Sequence, residues 1–217
     1  GHPTGPQQLM ITRSDNGQHL VNGMTIHVLG TGGTTATFPI LAVSDTFNRA
    51  NANTLGTNWQ QTSLFGIASI RVNSNQASCL ASLCALGANA HWSANLSATQ
   101  AAAFTFANTT LIGNALYLKG TTLTAGTYVN AIRVRYSGSQ VVVETTNNAG
   151  ISATLVQAFP ASFVVGDRLT AMADASGNVY VWKTTAASVT TFLGQTSTSF
   201  IGTGRAGAVH DSSDHHC

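Results

Sequence analysis

Tyr128-Val129-Asn130-Ala131-Ile132-Arg133-Val134-Arg135-Tyr136-Ser137-Gly138-Ser139-Gln140-Val141-Val142-Val143-Glu144-Thr145 is the stretch whose reading decides the fold. Ile132, Val134 and Tyr136 fall on one side of an extended chain, and Arg133 and Arg135 on the other, because successive side chains of a strand point to opposite faces. Gly138 marks a turn, and Gln140 to Thr145 is a second run rich in β-branched residues. Two such runs joined by a short glycine-bearing link predict a β-hairpin.

The same pattern extends in both directions. Ile67 to Asn73, Ala101 to Phe106 and Ala115 to Leu118 read as earlier strands, while Ile151 to Ala158, Arg168 to Ala173, Val179 to Lys183, Thr190 to Gly194 and Arg205 to Val209 read as later ones. Asp174-Ala175-Ser176-Gly177-Asn178 is turn chemistry between two of them. No useful length of chain carries a helical period. Strands spaced by turns in this way predict an all-β sandwich or jelly roll.

Residues 1–42 read as a separate piece. Leu9 to Arg13 and Met24 to Leu29 are short strand candidates around an Asn16-Gly17 turn. Gly30-Thr31-Gly32-Gly33 breaks the second, and Thr34 to Ile40 reads as a third. The expectation is a small N-terminal β-arm over 1–42 that attaches the chain to other subunits of an assembly, followed by a sandwich domain over 43–217. The start, Gly1 to Pro6, does not read as a signal peptide. Export is therefore expected after removal of a leader, or by a route such as virion assembly and lysis.

Composition narrows the function. Charged residues are 7% of the chain, against roughly 25% in ordinary soluble domains, so Ser, Thr, Asn, Gln and Gly must carry solubility. There is one glutamate, Glu144, and there are two lysines, Lys119 and Lys183; helix surfaces normally use far more of both. A net charge of +2 with no basic run argues against a nucleic-acid partner. No apolar stretch approaches the roughly 18 residues of a membrane span. Cys79 and Cys84 are close enough for a small loop disulfide, and the odd third cysteine, Cys217, is terminal.

Asp45-Thr46-Phe47-Asn48-Arg49-Ala50, followed by Leu55-Gly56-Thr57-Asn58-Trp59, resembles the opening of a bacterial and bacteriophage group of concanavalin A-like (laminin G-like) jelly rolls. Gly166-Asp167-Arg168-Leu169 and Gly177-Asn178-Val179-Tyr180-Val181 look like that group's paired late strands. Gly202 to Gly207 is similar to its penultimate glycine-rich turn and strand. The resemblance runs over about residues 45 to 213. The group's closing Asp-Asp/Asn-Phe strand does not appear before Cys217. The resemblance implies a concanavalin A-like sandwich of a kind found in phage head and tail proteins and in secreted proteins that bind or cleave glycans.

The chemistry of cleavage is not in evidence. Glycoside hydrolysis needs two carboxylates flanking the scissile bond, and Glu144 stands in Val141-Val142-Val143-Glu144-Thr145-Thr146 with no acidic neighbour. Neither a nucleophile elbow nor a phosphate loop is present. The tail His210-Asp211-Ser212-Ser213-Asp214-His215-His216-Cys217 has metal-ligand residue types, but at a terminus a solvated tail is the expectation. No catalytic residue, metal or cofactor is assigned.

Aromatic residues are the stronger lead. Trp92, Tyr180 and Trp182 offer flat faces of the sort that sugars contact; Tyr180 and Trp182 share one strand face opposite Val179 and Val181, which suits a core-facing pair as well as a binding platform. Trp59, in the opening motif, reads as a core anchor. Arg133 and Arg135 line a solvated sheet face or meet a partner subunit, and with Trp92, Tyr180 and Trp182 they are the candidate ligand contacts. The expected protein is therefore non-enzymatic, a surface protein of an extracellular assembly such as a bacteriophage virion decoration or tail protein, with host-surface glycan as a further partner. The alternative is a carbohydrate-binding module of a secreted bacterial protein.

Overall fold

A computed structural model describes residues 36–41, 45–61, 70–79, 88–107, 109, 111–123, 127–147 and 152–210. The arm expected before residue 36 and the tail from 211 onward lie outside them. The chain divides between Thr37 and Phe38, ahead of the boundary at 42 read from the sequence. Residues 36–40, expected as a third strand of the arm, belong to no strand. Phe38 instead packs its ring edge-on against Trp182 at 5.7 Å.

Every element among the described residues is a β-strand. In chain order these are β1 (Trp59–Gln61), β2 (Ile70–Asn73), β3 (Gln76–Cys79), β4 (Ala88–Trp92), β5 (Gln100–Thr105), β6 (Asn114–Leu123) and β7 (Thr127–Tyr136). They continue with β8 (Gln140–Asn147), β9 (Ser152–Pro160), β10 (Arg168–Ala173), β11 (Asn178–Thr184), β12 (Thr190–Ser197) and β13 (Arg205–His210). No helix among these residues is long and apolar enough to cross a membrane.

The strands form an antiparallel seven-stranded sheet in the order β1-β4-β13-β6-β7-β8-β9, a four-stranded sheet in the order β12-β11-β10-β5, and the small hairpin β2-β3. The fold is an all-β jelly-roll sandwich. Its alternation is that read from the sequence: Ile132, Val134 and Tyr136 of β7 and Val141 and Val143 of β8 turn inward. They meet Leu169, Ala171, Val179 and Val181 of the facing sheet. Each of the valine, leucine and isoleucine side chains, fully buried, contributes about 1.5–3 kcal/mol. Beside this core, Leu55, Ile70, Val72 and Ala90 form a second cluster that Phe47 and Trp59 complete.

Three strands have no counterpart in the sequence reading. β1 is three residues long, and β4 is rich in alanine and lies at that sheet's β1 end. The β2-β3 hairpin turns through Ser74 and Asn75, both at positive φ (51° and 59°), the geometry of a primed two-residue turn that Asn-Gly usually advertises.

The opening motif acquires a physical role. Asp45 Oδ1 accepts from the Phe47 amide at 2.8 Å and pairs with Arg49 at 2.7 Å, while Asp45 Oδ2 accepts from the Trp59 indole N–H at 2.8 Å. One carboxylate thereby ties the turn to the first strand and seats Trp59, as the core-anchor reading expects. Burial pushes the Asp45 carboxyl upward, but these donors outweigh it and hold it below the ordinary carboxylate range.

Candidate functional site

The five residues singled out as ligand contacts occupy three places. Trp92 lies half-buried beside Trp59, ring edge to ring face at 5.5 Å, at the end of the second core cluster. Tyr180 and Trp182 share the face of β11 that looks away from the main core, their rings stacked at 6.1 Å. Neither is open, at 8% and 2% exposure. Phe38 and Phe192 crowd Trp182, and the Tyr180 hydroxyl donates to Asp174 Oδ2 at 3.1 Å. The flat faces expected to meet a sugar are thus engaged by the protein itself.

Arg133 is buried and Arg135 part-buried, both engaged by Glu144, so the solvated-face expectation does not hold for Arg133. Glu144 stands directly opposite Arg133 in the β7-β8 register. Its Oε2 accepts from Arg133 Nε at 2.8 Å and from Arg135 Nε at 3.2 Å, with Arg135 also reaching Oε1. Arg133 and Glu144 are both buried. A lone carboxylate on a buried sheet position needs a cation close by, and the two arginines supply it. Glu144's cross-strand neighbours are Arg133 and Leu155, so no second carboxylate faces it across β7 or β9.

These residues belong to one lateral row of the seven-stranded sheet, on the face away from the core. The register places Gln60, His91, Gly207, Tyr117, Arg133, Glu144 and Leu155 side by side across all seven strands. At the β1 end, Gln60 Oε1 lies 3.0 Å from His91 Nε2, and the Arg205 guanidinium meets both. Burial, aided by the Arg205 charge, pushes the His91 imidazole down to about 4. Along this row, polar groups chiefly satisfy one another.

A different place offers hydrogen-bonding groups outward. At one rim of the sandwich a groove of about 280 Å³ is lined by Lys119 and Thr121 of β6, Asn130 of β7, and Ser199, Phe200, Ile201, Gly202 and Thr203 from the β12-β13 loop. Thr121 and Asn130 are exposed, as are Ser199 and Thr203. The Asn130 carboxamide makes no hydrogen bond among the described residues, while its backbone carbonyl accepts from Thr121 Oγ1 at 3.4 Å. An aromatic ring, a carboxamide and several hydroxyls around a space of this size are the lining that small polar ligands with an apolar face require.

Lys119 builds this rim. It sits at a β-bulge with φ 54°, and its backbone N–H donates to Gln100 Oε1 at 2.8 Å. Its buried ammonium donates to the carbonyl of Asp174, in the β10-β11 turn, and to that of Phe200 at 2.8 Å. One side chain from the seven-stranded sheet therefore holds the β10-β11 turn of the four-stranded sheet and the β12-β13 loop that joins the two sheets. The Asp174 turn is itself rigid. The carboxylate accepts from the amides of Ser176 and Asn178, each at 2.9 Å, and from the Asn178 carboxamide at 2.8 Å. Gly177, at φ 85°, leaves no room for a Cβ, which would fall 2.3 Å from the Thr198 carbonyl oxygen.

None of the groove residues was singled out as a ligand contact in the sequence. Cys79 closes β3 opposite Ile70, and Cys84 lies outside the described residues.

No family model and no curated protein sequence matches the chain. Among solved structures, the chain is similar to the carbohydrate binding module CBM66 from Bacillus subtilis, with a TM-score of 0.50 at 13% identity, over 72% of this chain and 89% of that one. A second likeness, to the PSpry domain of TRIM65, has a TM-score of 0.34 at 13% identity, over 56% and 63% of the two chains. At these identities what is shared with CBM66 is the fold, an all-β jelly-roll sandwich.

Proposed function

We propose that the protein is a non-catalytic glycan-binding module and that it takes its ligand in the rim groove between Asn130 and the Ser199–Thr203 loop. The observation that carries this reading is the groove's lining: exposed hydroxyl and carboxamide groups beside the ring of Phe200, over a floor held rigid by Lys119. Sugars present both polar edges and an apolar ring face, and such a lining answers both. The likeness of fold to a carbohydrate binding module supports it. The engagement of Glu144 by two arginines supports binding over hydrolysis, since the acid–base pair of a glycosidase has no counterpart beside it.

An extracellular setting fits the same reading. With charged side chains so few, the surface is neutral and polar, which suits a projecting module. Residues 1–42 are proposed as the segment that joins it to a larger assembly, a bacteriophage particle being the setting that the opening motif favours.

The test is a glycan array probed with the full chain and with Phe200→Ala and Asn130→Ala. Binding that both substitutions weaken is the expected result, with melting unchanged in Asn130→Ala and lowered in Phe200→Ala, whose ring also packs against the main core. A glycan bound equally well by all three proteins would remove the groove from the account, and silence across the array would remove the glycan.

A further inference from the structure

We propose that the outer face of the four-stranded sheet is a second glycan-binding face and that Phe38 is its displaceable cover. The inference shares the glycan-binding reading but rests on other residues than the rim groove, so each can fail alone.

Leu169 and Ala171 of β10 point into the main core, so Arg168 and Thr170 turn to the opposite face. Trp182 stands beside Thr170 in the β10-β11 register, and Phe192 of β12 stands beside Trp182. The Tyr180 ring stacks on that of Trp182. The face is therefore an aromatic floor bordered by a guanidinium and a hydroxyl. Phe38 lies on it. Its ring meets Trp182 edge-on, and the Arg168 guanidinium sits 5.6 Å from the centre of the same ring.

This cover is held weakly. Residues 38–41 belong to no strand, and no backbone hydrogen bond joins them to the sheet among the described residues. Ile40, two residues on, is 96% exposed and adds nothing to the grip. A ring pair and a cation–π contact are each worth roughly tenfold or less in an equilibrium. The cover also leaves polar atoms unanswered. On the covered face Arg168 Nε and Thr170 Oγ1 are buried with no hydrogen-bond partner, an arrangement that costs stability and that a phenyl ring cannot repair. A ligand taking the place of Phe38 needs an apolar face for Trp182 and acceptors for Arg168, which the ring now touches. A sugar ring has both, and a hydrocarbon has only the first. While Phe38 is seated, the apparent affinity is lowered by the fraction of molecules that are open.

The test probes one glycan array with the full chain, with Phe38→Ala, and with Phe38→Ala combined with either Arg168→Gln or Asn130→Ala. The expected result is about tenfold tighter binding of at least one glycan by Phe38→Ala than by the parent. Arg168→Gln returns that glycan to the parent level, and Asn130→Ala leaves the gain in place. Phe38→Leu, which keeps apolar bulk without the ring, replaces Phe38→Ala if the latter melts at the assay temperature, and a smaller gain is then expected. No gain in a folded Phe38 variant overturns the inference and leaves the rim groove untouched. A gain that Asn130→Ala abolishes and Arg168→Gln spares overturns it too, and assigns the binding to the groove. Binding by Phe38→Ala with a silent parent supports the covered face and removes the groove.

Discussion

Gly204 lies flat against the backbone of Lys119: a Cβ on residue 204 would stand 2.6 Å from the Lys119 carbonyl carbon and 2.8 Å from its Cα. The neighbour is main chain, held by the Gln100 carboxamide and flanked by the paired residues Leu118 and Gly120, so it cannot yield as a flexible side chain would. Gly204→Ala is expected to cost about 3 kcal/mol, at the upper end of overpacking effects. Urea unfolding of the variant and the parent measures it. A change within experimental error would mean that the β6 bulge relaxes freely.

Glu144→Gln removes the charge that Arg133 and Arg135 share while keeping the shape. Breaking a buried pair on one side costs about 3 kcal/mol, and the expected result is a loss of that order in chemical denaturation. The position should tolerate no simple swap to leucine, because two guanidiniums would then face an apolar neighbour.

His91 gives the protein an acid sensitivity of its own. Its folded value, about 4, lies below the 6.5 of an unfolded histidine. The unfolded chain therefore takes up this proton first as pH falls. The stabilisation is complete above pH 6.5 and is lost between there and about 4, amounting to up to about 3 kcal/mol. Asp45, Asp167 and Asp174 are held below 3.8, so the stability they contribute is lost only below that pH. Denaturation midpoints from pH 7 to 4 should fall in the parent and stay nearly flat in His91→Gln.

Much of the fold could be read in advance because β7, β8, β10 and β11 alternate strongly and end at glycine or aspartate turns. Arg168–Ala173 was found with its bounds unchanged. β1, β3 and β4 escaped notice because three or four residues, or a run of alanine and asparagine, carry too little alternation to stand out. The aromatic residues were visible but not their surroundings: whether Trp182 faces ligand or protein depends on Phe38, distant in sequence. The groove was invisible for a related reason. Lys119, Asn130 and Phe200 come from two strands and a loop, and no spacing links them.

Phe38→Ala tests that distant cover. Loss of an edge-to-face ring contact and its buried area should cost about 1–2 kcal/mol. It should also open Trp182 to solvent. Acrylamide quenching of a variant in which Trp59 and Trp92 are replaced by Phe reads this directly, and quenching should rise when Phe38 is removed.

The grip of Lys119 on its two loops has an evolutionary corollary. The ammonium holds peptide carbonyls, which every amino acid provides, so the exposed residues Ser199, Ile201 and Thr203 can change identity without loosening the framework behind them. If the groove binds glycan as proposed, sequence drift at its mouth alters the lining while the foundation stays put.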